Sequence, residues 1–406
     1  MAGIAALALA YVLSQFYRSF LAVLTPALTT DLGATKAQLS TASGAWFITF
    51  ALMQFIVGVS LDRFGPKRTA AVLLGVCGGG GAFLFAAATE PWMITAAMAL
   101  IGAGCAPVLM APLFIFARIY PPARFGVLAS WFIGIGSAGN VIGASPLAAA
   151  AEAFGWRGVM VGLGAVTILV ALVILATVRD PEEPESAKGG SAGFSGYFEL
   201  LSLKVLWPLI PLTAINYAAA AGIRGLWAGP YLADVYGADA LVIGQVTLFM
   251  ALGMIGGSFL YGPLDTVLGT RKWVVVGGNI ISLAALAFFA FNPVTGIATA
   301  TVLLVIIGVC GMSYGMLMAH ARAFLPPHLT GRGVTLMNFF SIGGVALMQF
   351  STGGIVTATA VPGNPAAPYG PLFMFYAAML AVTLAIYLLS RDAKPEISAA
   401  APAPRK

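Results

Sequence analysis

The sequence predicts an all-α polytopic membrane protein whose twelve transmembrane helices form two pseudo-symmetric six-helix bundles. Its 406 residues are 60% hydrophobic and only 8% charged, a balance that soluble globular domains of this length do not normally show. The apolar residues form twelve stretches that are each long enough to cross a bilayer. Features of the first half also recur in the second half at a nearly constant separation, which indicates an internal repeat.

The predicted spans are about twenty residues long or longer, which matches the thickness of the hydrocarbon core. Several contain Gly or Pro, which membrane helices tolerate because neighbouring helices and water satisfy the freed backbone groups. No basic region precedes the first segment, so we interpret it as a retained span and not as a cleaved signal peptide. All three cysteines lie within spans, so we expect no disulfide framework. The predicted spans are residues 4–28, 41–61, 70–89, 93–117, 126–149, 157–178, 205–233, 240–262, 273–291, 297–320, 333–356 and 370–390.

The distribution of Lys and Arg predicts the orientation, because cytoplasmic loops carry an excess of these residues. If both termini are cytoplasmic, sixteen of the twenty Lys and Arg residues lie on that side, and only Lys36 and Arg157 lie on the other. The remaining two, Arg18 and Arg224, fall within spans. Together with short loops and an Ala- and Gly-rich chain, this predicts a multi-pass protein of a bacterial inner membrane. The net charge of +6 follows from this topology and does not indicate nucleic-acid binding.

One long polar stretch, “RDPEEPESAKGGSAGFSG”, separates six spans from six. It combines charge with Pro, Gly and Ser, which is typical of a linker. We therefore predict an N-terminal six-helix bundle over residues 1–178, a cytoplasmic linker over residues 179–204, a C-terminal six-helix bundle over residues 205–392 and a cytoplasmic tail over residues 393–406.

Two short loops carry the clearest copies of the repeat. The loop “LDRFGPKRT” after the second span recurs as “LDTVLGTRKW” after the eighth, which places Asp62 and Asp265 203 residues apart. Gly33 and Gly237 are 204 residues apart. In the first loop, Gly65 permits a tight turn, and the carboxylate of Asp62 can pair with basic groups or with the N-terminal end of a neighbouring helix.

With twelve spans and a central linker, these loops make the chain similar to the major facilitator superfamily over its whole length. The family's signature after the second span, G-x-x-x-D-R-x-G-x-[KR]-[KR], is present, and “FGWRGVM” resembles the family's turn between spans five and six. The resemblance implies the major facilitator fold and a conformational latch on the cytoplasmic side. The residues assigned to this gating motif are Gly58, Asp62, Arg63, Gly65, Lys67 and Arg68 in the first loop, and Asp265, Gly269 and Arg271 in its degenerate copy.

Two arginines stand at equivalent positions inside the spans. Arg18 interrupts the apolar stretch “LSQFYRSFLAV”, although an arginine at the centre of a membrane helix costs roughly 2.5–3.5 kcal/mol on insertion scales. Arg224 lies 206 residues later in the seventh span, and Tyr11 and Tyr217 each stand seven residues before one of the arginines. Because seven residues make about two helical turns, each tyrosine shares a helix face with its arginine.

The arginine pair predicts an anion site, because repeat-built transporters bind substrate near the midplane where the repeats meet. No Asp or Glu lies well inside any span, so the substrate most simply supplies the missing counter-charge. A guanidinium group binds carboxylate or phosphate oxygens bidentately and stays protonated. The residues predicted to bind substrate are Arg18, Arg224, Tyr11, Gln15, Tyr217 and Trp227.

An arginine pair on spans one and seven also resembles the anion-transporting branches of the superfamily, the organophosphate/phosphate antiporters and the anion:cation symporters. The resemblance implies a secondary active transporter that moves a small organic anion by alternating access, and we favour a carboxylate. Anion exchange, uniport and symport with a proton or another ion all stay open. We expect a monomeric protein without a cofactor, and no enzyme, because the spans show no nucleophile–base constellation.

A methionine-rich face of the tenth span supports an alternative function. Met312, Met316 and His320 recur every four residues, and thioether and imidazole groups suit copper and other metals. An importer of copper or another metal cation is therefore an alternative, although Met commonly fills gaps in apolar helices and two unpaired arginines disfavour a cation. His320 is also a candidate for proton coupling, because histidine titrates in the physiological range.

Two departures from family patterns bear on a third possibility, multidrug efflux. The fourth-span motif associated with proton coupling has Met98 where Arg is expected, and the fifth-span antiporter motif has Ala144 where Pro is expected. Both departures weaken the case for a proton–drug antiporter.

Overall fold

The chain folds almost entirely into helices, as its hydropathy pattern predicts. The only β-type pairing among the described residues is an isolated bridge between Val361 and Asn364. In that part of the chain nine helices are long and apolar enough to cross a membrane, and one bent pair makes a tenth. The chain is therefore an all-α multi-pass membrane protein. This computed structural model describes residues 2–119, 128, 131–181, 195–326 and 329–393.

Eight of the predicted spans are each formed by one long apolar helix. The second span begins at a capping box, in which Thr35 and Gln38 bond each other's backbone N–H groups. The eighth begins at Asp239, whose carboxylate accepts from the N–H of Val242. Spans two, three, four, eight, nine, ten, eleven and twelve comprise Lys36–Leu61, Arg63–Ala86, Pro91–Phe116, Ala240–Leu268, Lys272–Phe291, Ile297–Arg322, Arg332–Ala358 and Tyr369–Tyr387.

The first span is bent and not continuous as the sequence predicts. It consists of Ala2–Phe16 and Leu21–Leu32, which meet at 54°. At the bend the hydroxyl of Ser19 lies 3.4 Å from the carbonyl oxygens of Gln15 and Phe16. A hydroxyl that bonds back to the preceding turn competes with the helix ladder and favours a bend.

The fifth and sixth spans meet at a glycine with a positive φ angle. The fifth contains Trp131–Ile142 and continues into the helix Ser145–Thr177 after a break. Pro146 is the second residue of this helix, and it cannot donate the backbone hydrogen bond that would continue the helix through the break. Gly155, with φ 68°, then forms a kink between this piece and the sixth span.

The seventh span is continuous but passes through a π-helical stretch. It comprises Leu209–Gly222, the π-helical residues Ile223–Trp227 and Ala228–Tyr236. A π-helical turn is rare within α-helices and is frequent at functional sites. The first, fifth and seventh spans are therefore irregular, and they occupy the places along the chain at which the sequence predicts them.

The N-terminal half, spans one to six, meets the C-terminal half, spans seven to twelve, along closely packed helices. The second span packs against the eleventh, and a Cβ atom added to Gly353 would lie 2.9 Å from Cβ of Ser40. The first span packs against the seventh, where a Cβ atom on Gly229 would lie 2.1 Å from the carbonyl oxygen of Ala22. Glycine therefore permits the close contact between the halves at both places.

The two ends of the bundle carry different loops. The end that we call the basic end includes Arg63, Lys67, Arg179, Lys272 and Arg391, whereas Lys36 and Arg157 lie at the opposite end. The linker between the halves is more than a plain connection, because it contains the helix Ser195–Ser202, which we call the linker helix. Its Leu200 is fully buried against Leu206 and Leu336, which fixes the linker helix to the C-terminal half.

Candidate functional site

Arg18 lies at the bend of the first span, in contact with aromatic rings of the second. Its guanidinium carbon is 5.3 Å from the ring centroid of Trp46 and 4.8 Å from that of Phe50. These are cation–π contacts, which are stronger where water is excluded. Within the described part of the chain, the side chain of Arg18 makes no hydrogen bond, and its buried Nε atom has no partner.

Arg224 lies in the π-helical stretch of the seventh span and is only 4% exposed. Its NH2 group donates to Oδ1 of Asn140 at 2.5 Å. Asn140 belongs to the fifth span, so this hydrogen bond joins the two halves. The Nε atom of Arg224 is buried and has no partner among the described residues.

The two arginines lie close together where the halves meet. A Cβ atom on Gly225 would be 2.9 Å from the carbonyl oxygen of Arg18, and the two guanidinium groups are near enough to repel each other. The ion pairs resolved among the described residues, Lys36–Asp234 and Asp265–Arg271, are found at the two ends of the bundle. Neither pair supplies a carboxylate to the arginines.

Three tyrosines, Tyr11, Tyr217 and Tyr314, lie in the same region of the first, seventh and tenth spans as the arginines. The phenol oxygen of Tyr11 accepts from Nε2 of Gln15 at 2.8 Å. The ring of Tyr217 lies 5.5 Å from that of Tyr314, which donates in turn to Oδ1 of Asn338 at 2.8 Å. Tyr11 and Tyr314 lie within electrostatic range of Arg18, and Tyr217 lies within that range of Arg224. The sequence analysis did not select Tyr314. Its position in the tenth span is the only feature of the sequence that could have indicated a role at this site.

Trp227 occupies a different environment from the other predicted substrate-binding residues. Its side chain is fully buried, and Nε1 lies 3.0 Å from both Oε1 of Gln349 and Oγ1 of Thr352. Gln349 also donates to the carbonyl oxygen of Gly222 at 3.1 Å. The structure therefore places Trp227 in the packing between spans seven and eleven.

A cavity of about 680 Å³ lies between the halves at the basic end. Gln54 and Phe55, which line the cavity, follow Phe50 by four and five residues along the second span. The ring of Phe50 contacts the guanidinium group of Arg18. Phe55 also contacts Phe339 of the eleventh span, at a ring distance of 5.2 Å. The described lining residues are Gln54, Phe55, Val57, Gly58, Val59, Leu61, Arg63, Met110, Leu113, Phe114, Tyr197, Arg332 and Thr335.

At the opposite end the halves are held together by polar contacts. Lys36 forms an ion pair with Asp234, and Tyr369 donates to the same carboxylate at 2.5 Å. The hydroxyl of Ser40 donates to the carbonyl oxygen of Gln349. The central region is therefore closed toward the opposite end, while the cavity lies toward the basic end.

The loop after the second span is capped by an aspartate that the sequence analysis did not select. Gly65 has φ 80°, and a Cβ atom there would lie 2.6 Å from Cγ of Asp180. Oδ1 of Asp180 accepts from the backbone N–H of Lys67 at 2.8 Å, at the start of the third span. Arg68 is exposed, and the side chain of Asp62 lies outside the described part of the structure.

In the degenerate loop after the eighth span, an aspartate likewise accepts from a backbone N–H group. Gly269 has φ 67°, and Oδ1 of Asp392 accepts from the backbone N–H of Lys272 at 3.0 Å. Nε of Arg271 lies 3.1 Å from Oδ2 of Asp265. Asp180 and Asp392 each follow an arginine at the end of the last span of their half, and this repeated Arg-Asp pair is the signal that could have identified them.

Asp392 lies outside the spans and is stabilised as a carboxylate. Its partial burial acts to raise the pKa, but a 2.5 Å hydrogen bond from Oγ1 of Thr270 and the bond from the N–H of Lys272 outweigh burial. The pKa of Asp392 is therefore lower than its ordinary value.

The methionine and histidine face of the tenth span does not form an open metal site in this conformation. His320 is fully buried, with Nδ1 2.6 Å from the hydroxyl of Tyr387 and Nε2 2.9 Å from the carbonyl oxygen of Arg391. A carbonyl can only accept, so Nε2 carries the proton and Nδ1 accepts from Tyr387. Met316 is buried, and Met312 lies at the break of the span. No group of three His, Cys, Asp or Glu residues within the described ranges could hold a metal ion.

The chain belongs to the major facilitator superfamily, whose family model matches residues 7–348. Membership in this family of transporters agrees with the helical fold, the arrangement of two halves and the cavity between them. The protein is therefore a membrane transport protein and not an enzyme. No curated protein matches the sequence significantly.

Solved structures of transporters share the fold over nearly the whole chain. A bacterial homolog of the human lysosomal transporter Spinster, in an inward-facing and occupied conformation, is 20% identical with a TM-score of 0.73, covering 95% of this chain and 96% of its own. The nucleoside transporter NupG is 14% identical with a TM-score of 0.74, covering 96% and 98%. A D-xylose–proton symporter is 14% identical with a TM-score of 0.73, covering 95% and 97%. At these identities the likeness concerns the fold.

Proposed function

We propose that the protein is a secondary active transporter that moves a small organic anion, with a carboxylate favoured, across a bacterial inner membrane. The anion is held between Arg18 and Arg224, where the two halves meet. Tyr11, Gln15 and Tyr217 complete the polar part of this site. Trp227 has a supporting role, because its indole nitrogen is already bonded within the C-terminal half.

The uncompensated charge of the arginine pair is the observation that carries the proposal. Both Nε atoms are buried without a partner, and no carboxylate among the described residues pairs with either arginine. A buried polar group without a partner costs about 1–3 kcal/mol, and a charged group costs more. A carboxylate offers two charged oxygens that match the guanidinium fork, so its binding removes this cost.

The shape of the molecule supports alternating access. The cavity lies toward the basic end, whereas Lys36 and Asp234 close the opposite end. With both termini in the cytoplasm, as the loop charges predict, this conformation is inward-facing. Transport then requires the halves to rock so that the opposite end opens and the basic end closes. We expect one chain to suffice for this cycle.

Coupling to a proton is compatible with this site only through the substrate. No Asp or Glu in the described part of the chain bonds to the arginines, and both ring nitrogens of His320 are occupied. If transport is proton-coupled, we therefore expect the substrate carboxylate to carry the proton.

A thermal-shift screen of the purified protein tests the proposal. Formate, acetate, succinate, glycerol phosphate, methanesulfonate and copper(I) are each added to the native protein, Arg18→Gln and Arg224→Gln. Arg157→Gln serves as the matched control, because Arg157 lies at the opposite end and donates to the carbonyl oxygen of Ala88 at 2.8 Å. A ligand that binds only the native state raises the melting temperature.

We expect one class of anion to stabilise the native protein and the Arg157→Gln control, and to have no effect on either central variant. The same anion should be taken up by proteoliposomes that contain the native protein. Equal stabilisation of Arg18→Gln, or stabilisation by copper(I) alone in all four proteins, would overturn the proposal.

A further inference from the structure

Asn140 makes the only hydrogen bond to the guanidinium group of either central arginine among the described residues. Its Oδ1 atom accepts from NH2 of Arg224 at 2.5 Å, and Arg224 is 4% exposed. The two residues come from different halves of the protein. The bond therefore occupies part of the guanidinium fork and at the same time ties the halves together beside the site.

The backbone holds Asn140 in a fixed position relative to the first span. Asn140 lies in the short helical stretch Ala138–Ile142, which packs directly against the first span near its bend. A Cβ atom on Gly139 would lie 2.0 Å from the carbonyl oxygen of Val12. A Cβ atom on Gly143 would lie 3.1 Å from Oγ of Ser19, the residue after Arg18. Asn140 therefore moves with the Arg18 segment of the N-terminal half.

The carboxamide of Asn140 is a weak substitute for an anion. Its oxygen is uncharged, and its bond to NH2 leaves Nε of Arg224 without a partner. A carboxylate or phosphate can bond NH2 and Nε together, and such charge-assisted pairs are roughly twice as strong as neutral hydrogen bonds. An anionic oxygen therefore binds Arg224 more strongly than the carboxamide oxygen of Asn140 does, so its replacement of Asn140 is favourable.

We propose that Asn140 is a place-holder for the substrate. Asn140 binds Arg224 when the site is empty, and an anionic oxygen of the substrate displaces it. This inference rests on the proposed function and deepens it, because it assigns to Asn140 the link between substrate binding and movement of the halves. When the anion replaces Asn140, a tie between the halves is broken at the site. A ligand changes the balance of two conformations only through contacts that differ between them. The Arg224–Asn140 hydrogen bond is such a contact, because it is present in the empty site and absent when the anion is bound.

Two substitutions of Asn140 make opposite predictions. Asn140→Ala removes the competitor, so acetate, succinate or inorganic phosphate should bind more tightly, by about tenfold for the loss of one hydrogen bond to a charged group. Asn140→Asp supplies a permanent carboxylate to Arg224, so the affinity for the same anions should fall at least about tenfold. Asn140→Ser replaces Asn140→Ala if the alanine variant does not fold.

Dissociation constants are measured by titrating each anion into the purified full-length proteins and following the melting temperature and intrinsic tryptophan fluorescence. Asn279→Ala is the matched control, because Asn279 also accepts a hydrogen bond within the spans, but from Asn216 of the same half. Its affinity for the anions should equal that of the native protein.

The outcomes separate this inference from the proposed function. Weaker anion binding by Asn140→Ala, or undiminished binding by Asn140→Asp, would overturn the place-holder role while the function stands. If the native protein binds none of the three anions and none of the other anions in the thermal-shift screen, the proposed function is wrong and this inference falls with it.

Discussion

Lys36, at the start of the second span, forms an ion pair with Asp234, at the end of the seventh span. The pair joins the two halves at the opposite end of the bundle. Tyr369 of the twelfth span adds a third group, since its hydroxyl donates to Asp234 at 2.5 Å and its ring centroid lies 5.6 Å from Nζ of Lys36. The side chains of Lys36 and Asp234 are 32% and 22% exposed, so the pair lies at the rim and must separate before this end can open.

We expect Lys36→Gln to increase the fraction of molecules that are open at the opposite end. Partly exposed ion pairs contribute about 0–1 kcal/mol, so the open-to-closed ratio should rise by up to about fivefold. Double electron–electron resonance between spin labels at Thr30 and Val294, which are exposed on different halves, measures this change. Lys36→Arg should keep the native distribution, and the exchanged pair Lys36→Asp with Asp234→Lys should restore much of it. An unchanged distance distribution in Lys36→Gln would show that the pair does not control this end.

Gly65→Ala should destabilise the protein more than Gly269→Ala, although both glycines have similar positive φ angles of 80° and 67°. Alanine at position 269, which is in the left-handed α region with ψ 20°, has a backbone cost of about 1–2 kcal/mol. At position 65, where ψ is 161°, the backbone is in a region essentially restricted to glycine and the cost is about 1–3 kcal/mol. Only at position 65 would the new Cβ atom also meet a neighbour, the carboxylate of Asp180 at 2.6 Å, and disturb the bond to Lys67. The measurement is the melting temperature in detergent. If the melting temperature falls equally in the two variants, the loop moves away from Asp180 without a loss of stability.

The order of the spans and the arginine pair could be predicted because both depend on patterns along the chain. Apolar segments of about twenty residues must form helices in a bilayer, where each backbone group needs an internal partner. The constant separation between the halves then placed Arg18 and Arg224 at equivalent positions. These predictions required no knowledge of side-chain packing.

The irregular features could not be predicted, because they depend on contacts between helices. The bend of the first span involves the hydroxyl of Ser19 and the close approach of Gly143 from the fifth span. The orientation of Trp227 depends on Gln349, 122 residues away. The Arg224–Asn140 bond crosses from one half to the other, and no spacing in the sequence indicates that these two residues meet.

Acid should loosen the basic end of the C-terminal half through Asp392. Its pKa in the folded protein is lower than in the unfolded chain, so ionised Asp392 stabilises the fold above the ordinary carboxyl pKa of 3.8, and this contribution is lost as the pH falls through the lowered value. Asp392→Asn should therefore lower the melting temperature near neutral pH and should flatten its decrease below about pH 4. Glu152→Gln is the control, because Glu152 is exposed at the opposite end. If the melting temperature of Asp392→Asn depends on pH as that of the native protein does, Asp392 does not cause the loss of stability in acid.

His320→Gln should lower stability without changing the pH dependence of transport. His320 is fully buried and bonded through both ring nitrogens, so it holds the tenth span to Tyr387 and to the backbone of Arg391 at the end of the twelfth. Loss of these bonds should cost about 1–3 kcal/mol. Tyr387→Phe removes one of the same two bonds and should give a smaller loss of melting temperature. The uptake of the anion identified by the thermal-shift screen is measured in proteoliposomes from pH 5 to pH 8, for the native protein and both variants. A pH dependence that disappears in His320→Gln but persists in Tyr387→Phe would instead identify His320 as the coupling residue.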